Sequence, residues 1–171
     1  MKRLIPAILL LSVFVFQDSQ AQRKKAERAY EAFNAGEYYE AIDQFKDAYS
    51  KSKKADRSVR TELGYMVAES YRLSNDPRNA EIWYRLAVRS ATSKPEAQYW
   101  LAESLKKTGK YQQAIEEFRK YKQVAPSDAR ADQQIRACEL ALEWERNPEA
   151  YRVEELKDLN SRFSDFSPAY A

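Results

Sequence analysis

Apolar residues recur along most of this chain with the period of a helix. Ile42, Phe45 and Tyr49 fall at i, i+3 and i+7 and draw one stripe down a helical face. The stripe belongs to a longer pattern that occurs twice. Gly36, Tyr38, Ala41, Ile42 and Phe45 are spaced as Gly109, Tyr111, Ala114, Ile115 and Phe118 are. A third copy between them keeps Ala68, Tyr71, Ala80, Tyr84 and Ala87. The second and third copies stand 34 residues apart (Ala80 to Ala114), the first and second 39 (Ala41 to Ala80), because a polar link around Lys53 is longer.

A repeat of this length with two small-residue positions predicts pairs of antiparallel helices. Ala29, Ala68 and Ala102 sit on the first helix of each pair, and Ala41, Ala80 and Ala114 on the second. Small residues there let two helix axes approach closely. Gly36 and Gly109 suit the left-handed residue that ends a helix. In the second copy the stop is expected to be made differently, since Asp76 can cap a helix and Pro77 fits its first turn. Pro126 ends the last paired helix, and Ser127 or Asp128 can cap the next. That helix, from about Ala129 to Arg146, carries Ile135, Leu140, Leu142 and Trp144 and is expected to close the end of the stack.

The pattern resembles the tetratricopeptide repeat (TPR). Over about 22–128 the chain has that family's period, its alanines at the eighth, twentieth and twenty-seventh places, and one of its late prolines, Pro126. It departs at Tyr121, where a small residue is usual, and at Lys53 and Thr92, where the other two prolines would stand. The resemblance implies an all-α solenoid of three helix-turn-helix repeats with a C-terminal capping helix over 22–146 and an irregular tail. It also implies a ligand groove lined by the first helix of each pair: Tyr30, Phe33 and Asn34, then Tyr65, Glu69 and Arg72, then Tyr99, Glu103 and Lys106. Chaperone-binding members hold a C-terminal carboxylate there with Lys and Asn. Tyr and Glu stand here instead, so a mixed aromatic and ion-paired groove suits an extended peptide or another domain better. The same residues also read as solvated i,i+3 ion pairs, Glu69 with Arg72 and Glu103 with Lys106, beside tyrosines that pack between repeats.

The start of the chain differs. Lys2 and Arg3 precede an apolar stretch from Leu4 to Phe16, broken only by Pro6 and Ser12, and Ser19-Gln20-Ala21 offers small residues for cleavage. This predicts a signal peptide over 1–21. Thirteen helical residues span about 20 Å, short of the roughly 30 Å hydrocarbon core, so a permanent membrane span is the weaker reading. A single cysteine, Cys138, excludes an internal disulfide.

Charge and chemistry narrow the function. The 29 basic and 26 acidic residues are interspersed and leave a net charge of +3, which gives no electrostatic case for nucleic acid. There is no histidine, hence no common general base or metal ligand. Glu116-Glu117 and Glu154-Glu155 are adjacent and diverge by about 100° around a helix, so neither pair shares a substrate. No Gly-rich phosphate loop occurs. The sequence predicts a non-enzymatic protein with no cofactor, no metal and no small-molecule substrate.

After Arg146 the helical pattern stops at Asn147-Pro148. The tail FSDFSPAYA reads either as a frayed end tucked onto the solenoid or as the start of another domain. Cys138, Glu139, Trp144, Asn147-Pro148, Leu159-Asn160-Ser161 and Ser164-Asp165-Phe166-Ser167-Pro168 resemble the join between repeat and propeller domains in Bacteroidota OmpA-family envelope proteins. That resemblance implies that 147–171 is a linker and the first edge of a missing β-propeller, and that peptidoglycan is met only through a domain absent from this chain. It implies a periplasmic scaffold, associated with the outer membrane, whose partner is a protein or peptide of the cell envelope, as in type IX secretion and gliding assemblies. The alternatives are a stand-alone TPR adaptor and a structural strut between outer membrane and cell wall.

Overall fold

The computed structural model describes residues 26–52 and 56–148. The expected signal segment and the tail beyond Pro148 lie outside the described residues. Seven helices and no strand occur among the described residues: α1 (26–34), α2 (Tyr38–Lys51), α3 (Arg57–Leu73), α4 (Pro77–Ala87), α5 (Pro95–Lys107), α6 (Tyr111–Val124) and α7 (Arg130–Arg146). Each helix packs chiefly against its neighbours in the chain, from α2 on α3 through to α6 on α7. The result is the all-α TPR-type solenoid of three hairpins, α1–α2, α3–α4 and α5–α6, capped by α7.

One turn closes all three hairpins. Gly36 (φ 81°), Asn75 (φ 60°) and Gly109 (φ 76°) occupy the left-handed region at the same place of successive repeats. The next residue reaches back across the helix end in each: Glu37 N donates to Ala32 O, Asp76 N to Tyr71 O and Lys110 N to Leu105 O, all at 2.9 Å. This is the Schellman pattern, which satisfies carbonyls that a helix end would otherwise orphan. The second hairpin therefore stops as the others do, with Asn in place of Gly. As expected, Asp76 caps α4 by accepting from Asn79 N at 3.1 Å, with Pro77 in the first turn. Asp56 caps α3 by accepting from Val59 N at 3.2 Å.

The repeat alanines are the close-contact points. Ala29, Ala68 and Ala102 on the first helices and Ala41, Ala80 and Ala114 on the second are all 0% exposed. Phe45, Tyr84 and Phe118, one ring per hairpin, fill the space beside them. Tyr121, where a small residue was usual, is buried too. Its hydroxyl donates to Asp128 Oδ2 at 2.6 Å and its ring meets Tyr99 at 5.3 Å. The last repeat faces a capping helix rather than a further hairpin, and the larger ring occupies that boundary.

The cap departs from expectation in two respects. Ala131, Ile135 and Cys138 are its buried face, with Leu142 partly buried, whereas Leu140 and Trp144 are exposed. The spacing 131, 135, 138, 142 is a stripe of four, three and four residues; Leu140 and Trp144 fall on another side of the helix. Ala129 is the N-cap residue and supplies no side-chain cap. Asp128 does part of that work from one residue earlier, accepting from Arg130 N at 3.0 Å.

Candidate functional site

The nine residues expected to line a groove lie along α1, α3 and α5, and most of them tie repeats together. Glu69 sits at the centre, 8% exposed. Both its oxygens accept from Arg72 in a fork, Oε1 from Nε at 3.3 Å and Oε2 from Nη2 at 2.5 Å. Oε1 also accepts from the hydroxyl of Tyr84, on α4. A buried carboxylate needs such donors to offset its desolvation. The Arg72 guanidinium then lies over the Trp100 ring of the next repeat, 4.1 Å from its centroid. The chain of contacts Tyr84–Glu69–Arg72–Trp100 thus runs from α4 through α3 to α5.

A second chain of contacts runs from α1. Tyr30 donates to Glu62 Oε1 at 3.4 Å, and Lys94, ahead of α5, pairs with the same carboxylate at 3.0 Å. Lys94 Nζ also stands 4.7 Å from the Tyr65 ring, and Tyr65 meets Tyr84 edge to face at 6.1 Å. At the far end Tyr99, 5% exposed, packs on Phe118 at 5.5 Å and carries the Arg130 guanidinium at 4.6 Å. Glu103 pairs with Lys106 at 3.0 Å, and Lys106 donates in turn to Gln134 on α7. Phe33 packs against Tyr38 and Phe45. Of the nine, Asn34 alone has no side-chain hydrogen bond, ion pair or ring contact among the described residues, and it is exposed.

The electrostatics follow from these contacts. Burial first, and the Glu62 charge second, push Tyr30 up to about 12. Burial and then Glu69 raise Tyr65 and, further, Tyr84. Burial opposes the Arg72 charge, but the hydrogen bond and charge of Glu69 outweigh it and hold the guanidinium above its ordinary value. Burial raises the Cys138 thiol, which suits a packed small side chain rather than a nucleophile. Hydrogen bonds from Arg130 and then Tyr121 hold Asp128 below the usual carboxylate range.

Sequence reasoning missed Glu62, Lys94, Trp100 and Arg130, the partners that turn these residues into inter-repeat ties. A signal existed for one of them. Glu62 and Glu96 stand at the same place of successive repeats, three residues before Tyr65 and Tyr99. The first set was also drawn one register away. Tyr30 and Phe33 occupy the places of Glu69 and Arg72, so the first repeat has aromatics where the others have an ion pair.

Comparison with known proteins agrees with this geometry. Residues 73–145 match the family described as "Anaphase-promoting complex, cyclosome, subunit 3". Among curated proteins no sequence matches the chain. The Sgt2 TPR domain from Aspergillus fumigatus has a similar structure, with a TM-score of 0.60 at 16% identity, over 83% of this chain and 92% of that one. The first TPR of Spaghetti (RPAP3) bound to the HSP90 peptide SRMEEVD gives 0.61 at 22% identity, over 72% and 94%. The MamA protein gives 0.62 at 17% identity, over 82% and 83%. The described residues thus have the fold of tetratricopeptide-repeat domains.

Proposed function

We propose that this chain is a non-enzymatic scaffold that holds a protein or peptide partner along its first-helix face. The observation that carries this reading is the alignment of α1, α3 and α5 by the two chains of contacts around Glu62 and Glu69. A surface fixed in that way loses little freedom on binding. The peptide held by the first TPR of RPAP3 supports a partner of the same kind here. The partner's chemistry is mixed, since aromatic edges and ion pairs alternate along the face.

The setting we propose is the periplasm. Its support is the Lys2-Arg3 start, the apolar stretch to Phe16 and the small residues at Ser19 and Ala21. The outer-membrane assembly, of the type IX secretion and gliding kind, rests on the resemblance of Cys138 to Pro168 to the OmpA-family join.

Charge reversal at Glu69 is a poor test, because it would place a cation between Arg72 and Tyr84 in the interior. Photo-crosslinking residues at Asn34 and Glu96, both exposed on first helices, avoid that problem, with Tyr39 and Ile82 on second helices as controls. A partner captured in envelope fractions from the first pair of positions alone is the expected result. Capture from Tyr39 or Ile82 alone would reject the face, and a chain absent from those fractions would reject the setting.

A further inference from the structure

A cleft of about 520 Å³ lies at the edge where α2 ends, α3 begins and α4 runs into its link to α5, and none of the nine groove residues lines it. Arg57, Arg60 and Arg89 line it together with Tyr49, Leu86 and Ser90, and among the described residues no carboxylate does. Elsewhere cations such as Arg72, Arg85, Lys94 and Lys110 are each answered by a carboxylate within 3.0 Å.

The three arginines are held differently. Arg60 is fixed: its guanidinium stacks on the Tyr49 ring at 4.0 Å, and Nη1 donates to Tyr49 O at 2.9 Å and Ser52 O at 3.2 Å. Its Nε and Nη2 donors have no acceptor among the described residues. The guanidiniums of Arg57 and Arg89, both exposed, have none either. Like charges gathered around one concavity repel unless an anion joins them. Guanidinium forks fit planar carboxylates in pairs of hydrogen bonds. The cleft is far larger than one oxyanion, and Tyr49 and Leu86 add apolar wall.

We propose that this cleft binds an acidic peptide segment of a protein partner, with two or more Asp or Glu carboxylates on the arginines and an apolar side chain against Tyr49 and Leu86. The proposal rests on the reading of the chain as a protein-binding scaffold but uses a different surface. The test is fluorescence anisotropy of the full chain with a labelled acidic hexapeptide of alternating Glu and Asp, beside its Gln and Asn counterpart. Arg57→Gln with Arg89→Gln leaves the Arg60 tie intact, and a thermal melt checks the fold. Affinity should fall by about tenfold or more in the double variant, and the uncharged peptide should not bind. A change of less than about twofold would overturn the proposal, since exposed charges of no consequence behave that way. Equal binding of the uncharged peptide, or binding of inorganic phosphate but not of the acidic peptide, would overturn it too. Crosslinking from Asn34 and Glu96 that persists after such a failure would leave the first-helix face standing and remove only the cleft.

Discussion

Tyr84 shows how one residue can be both core and tie. Its ring is 0% exposed and its hydroxyl donates to a carboxylate that has little water. Tyr84→Phe keeps the ring and removes the donor. A hydrogen bond to a charged group contributes about 2 kcal/mol, so urea unfolding at neutral pH should show a loss of that order. The pH dependence has a definite sign. Tyr84 ionises in the unfolded chain near 10 and only above that in the fold, so its contribution is complete below about pH 10 and falls as pH rises further. The gap between wild type and Tyr84→Phe should therefore narrow above about pH 10. A gap that stays constant into the alkaline range would mean that the hydroxyl does not serve Glu69. The sequence marked Tyr84 only as a repeat aromatic, and Glu69 as a groove residue. Their meeting spans 15 residues and two helices, which no local pattern encodes.

The helix hairpin is the level at which the sequence was most readable, because its determinants are local. Alanine places, the Asp76-Pro77 start and the Gly36 and Gly109 stops all stand where the spacing puts them. Asn75 escaped notice because Asn-Asp-Pro already accounted for the start of the next helix and masked the left-handed residue before it. The shared turn makes a paired prediction. Gly109→Ala meets no neighbour within 4 Å of its new Cβ, so any loss of stability comes from φ alone. That loss should be about 1 kcal/mol, read as a lower thermal midpoint. Asn75→Gly should do the reverse and raise the midpoint slightly, since Gly adopts this conformation without penalty. A Gly109→Ala midpoint equal to wild type would mean that the turn is remade in another form. The capping helix was less readable for a related reason. Its apolar residues outnumber the positions that face α6, so composition alone pointed to Leu140 and Trp144 as well as Ile135 and Leu142, while the partner helix selects Ala131, Ile135 and Cys138.

At the scale of the whole molecule the helices pack in chain order, and stability should travel along the stack rather than arise at one centre. Two clusters of buried residues fit this view, one over α1 to α3 and one from α3 through α7, with Tyr65, Tyr71 and Trp83 packed against both. Ile135 belongs to the second cluster together with Phe118 and Tyr121. Ile135→Ala removes about 2–4 kcal/mol of packing at one end. Hydrogen exchange on the native protein should then show amide protection falling most in α7 and α6, less in α5, and little in α1 and α2. The graded loss depends on the joints between neighbouring hairpins, such as Trp83 with Tyr49 at 5.1 Å and Arg72 with Trp100 at 4.1 Å, being weaker than the hairpins themselves. If Ile135→Ala lowered protection equally in all seven helices, the joints would be as strong as the hairpins and the stack would open as one unit. The first-helix face would then be switched on and off whole. With graded loss, a partner could order it repeat by repeat.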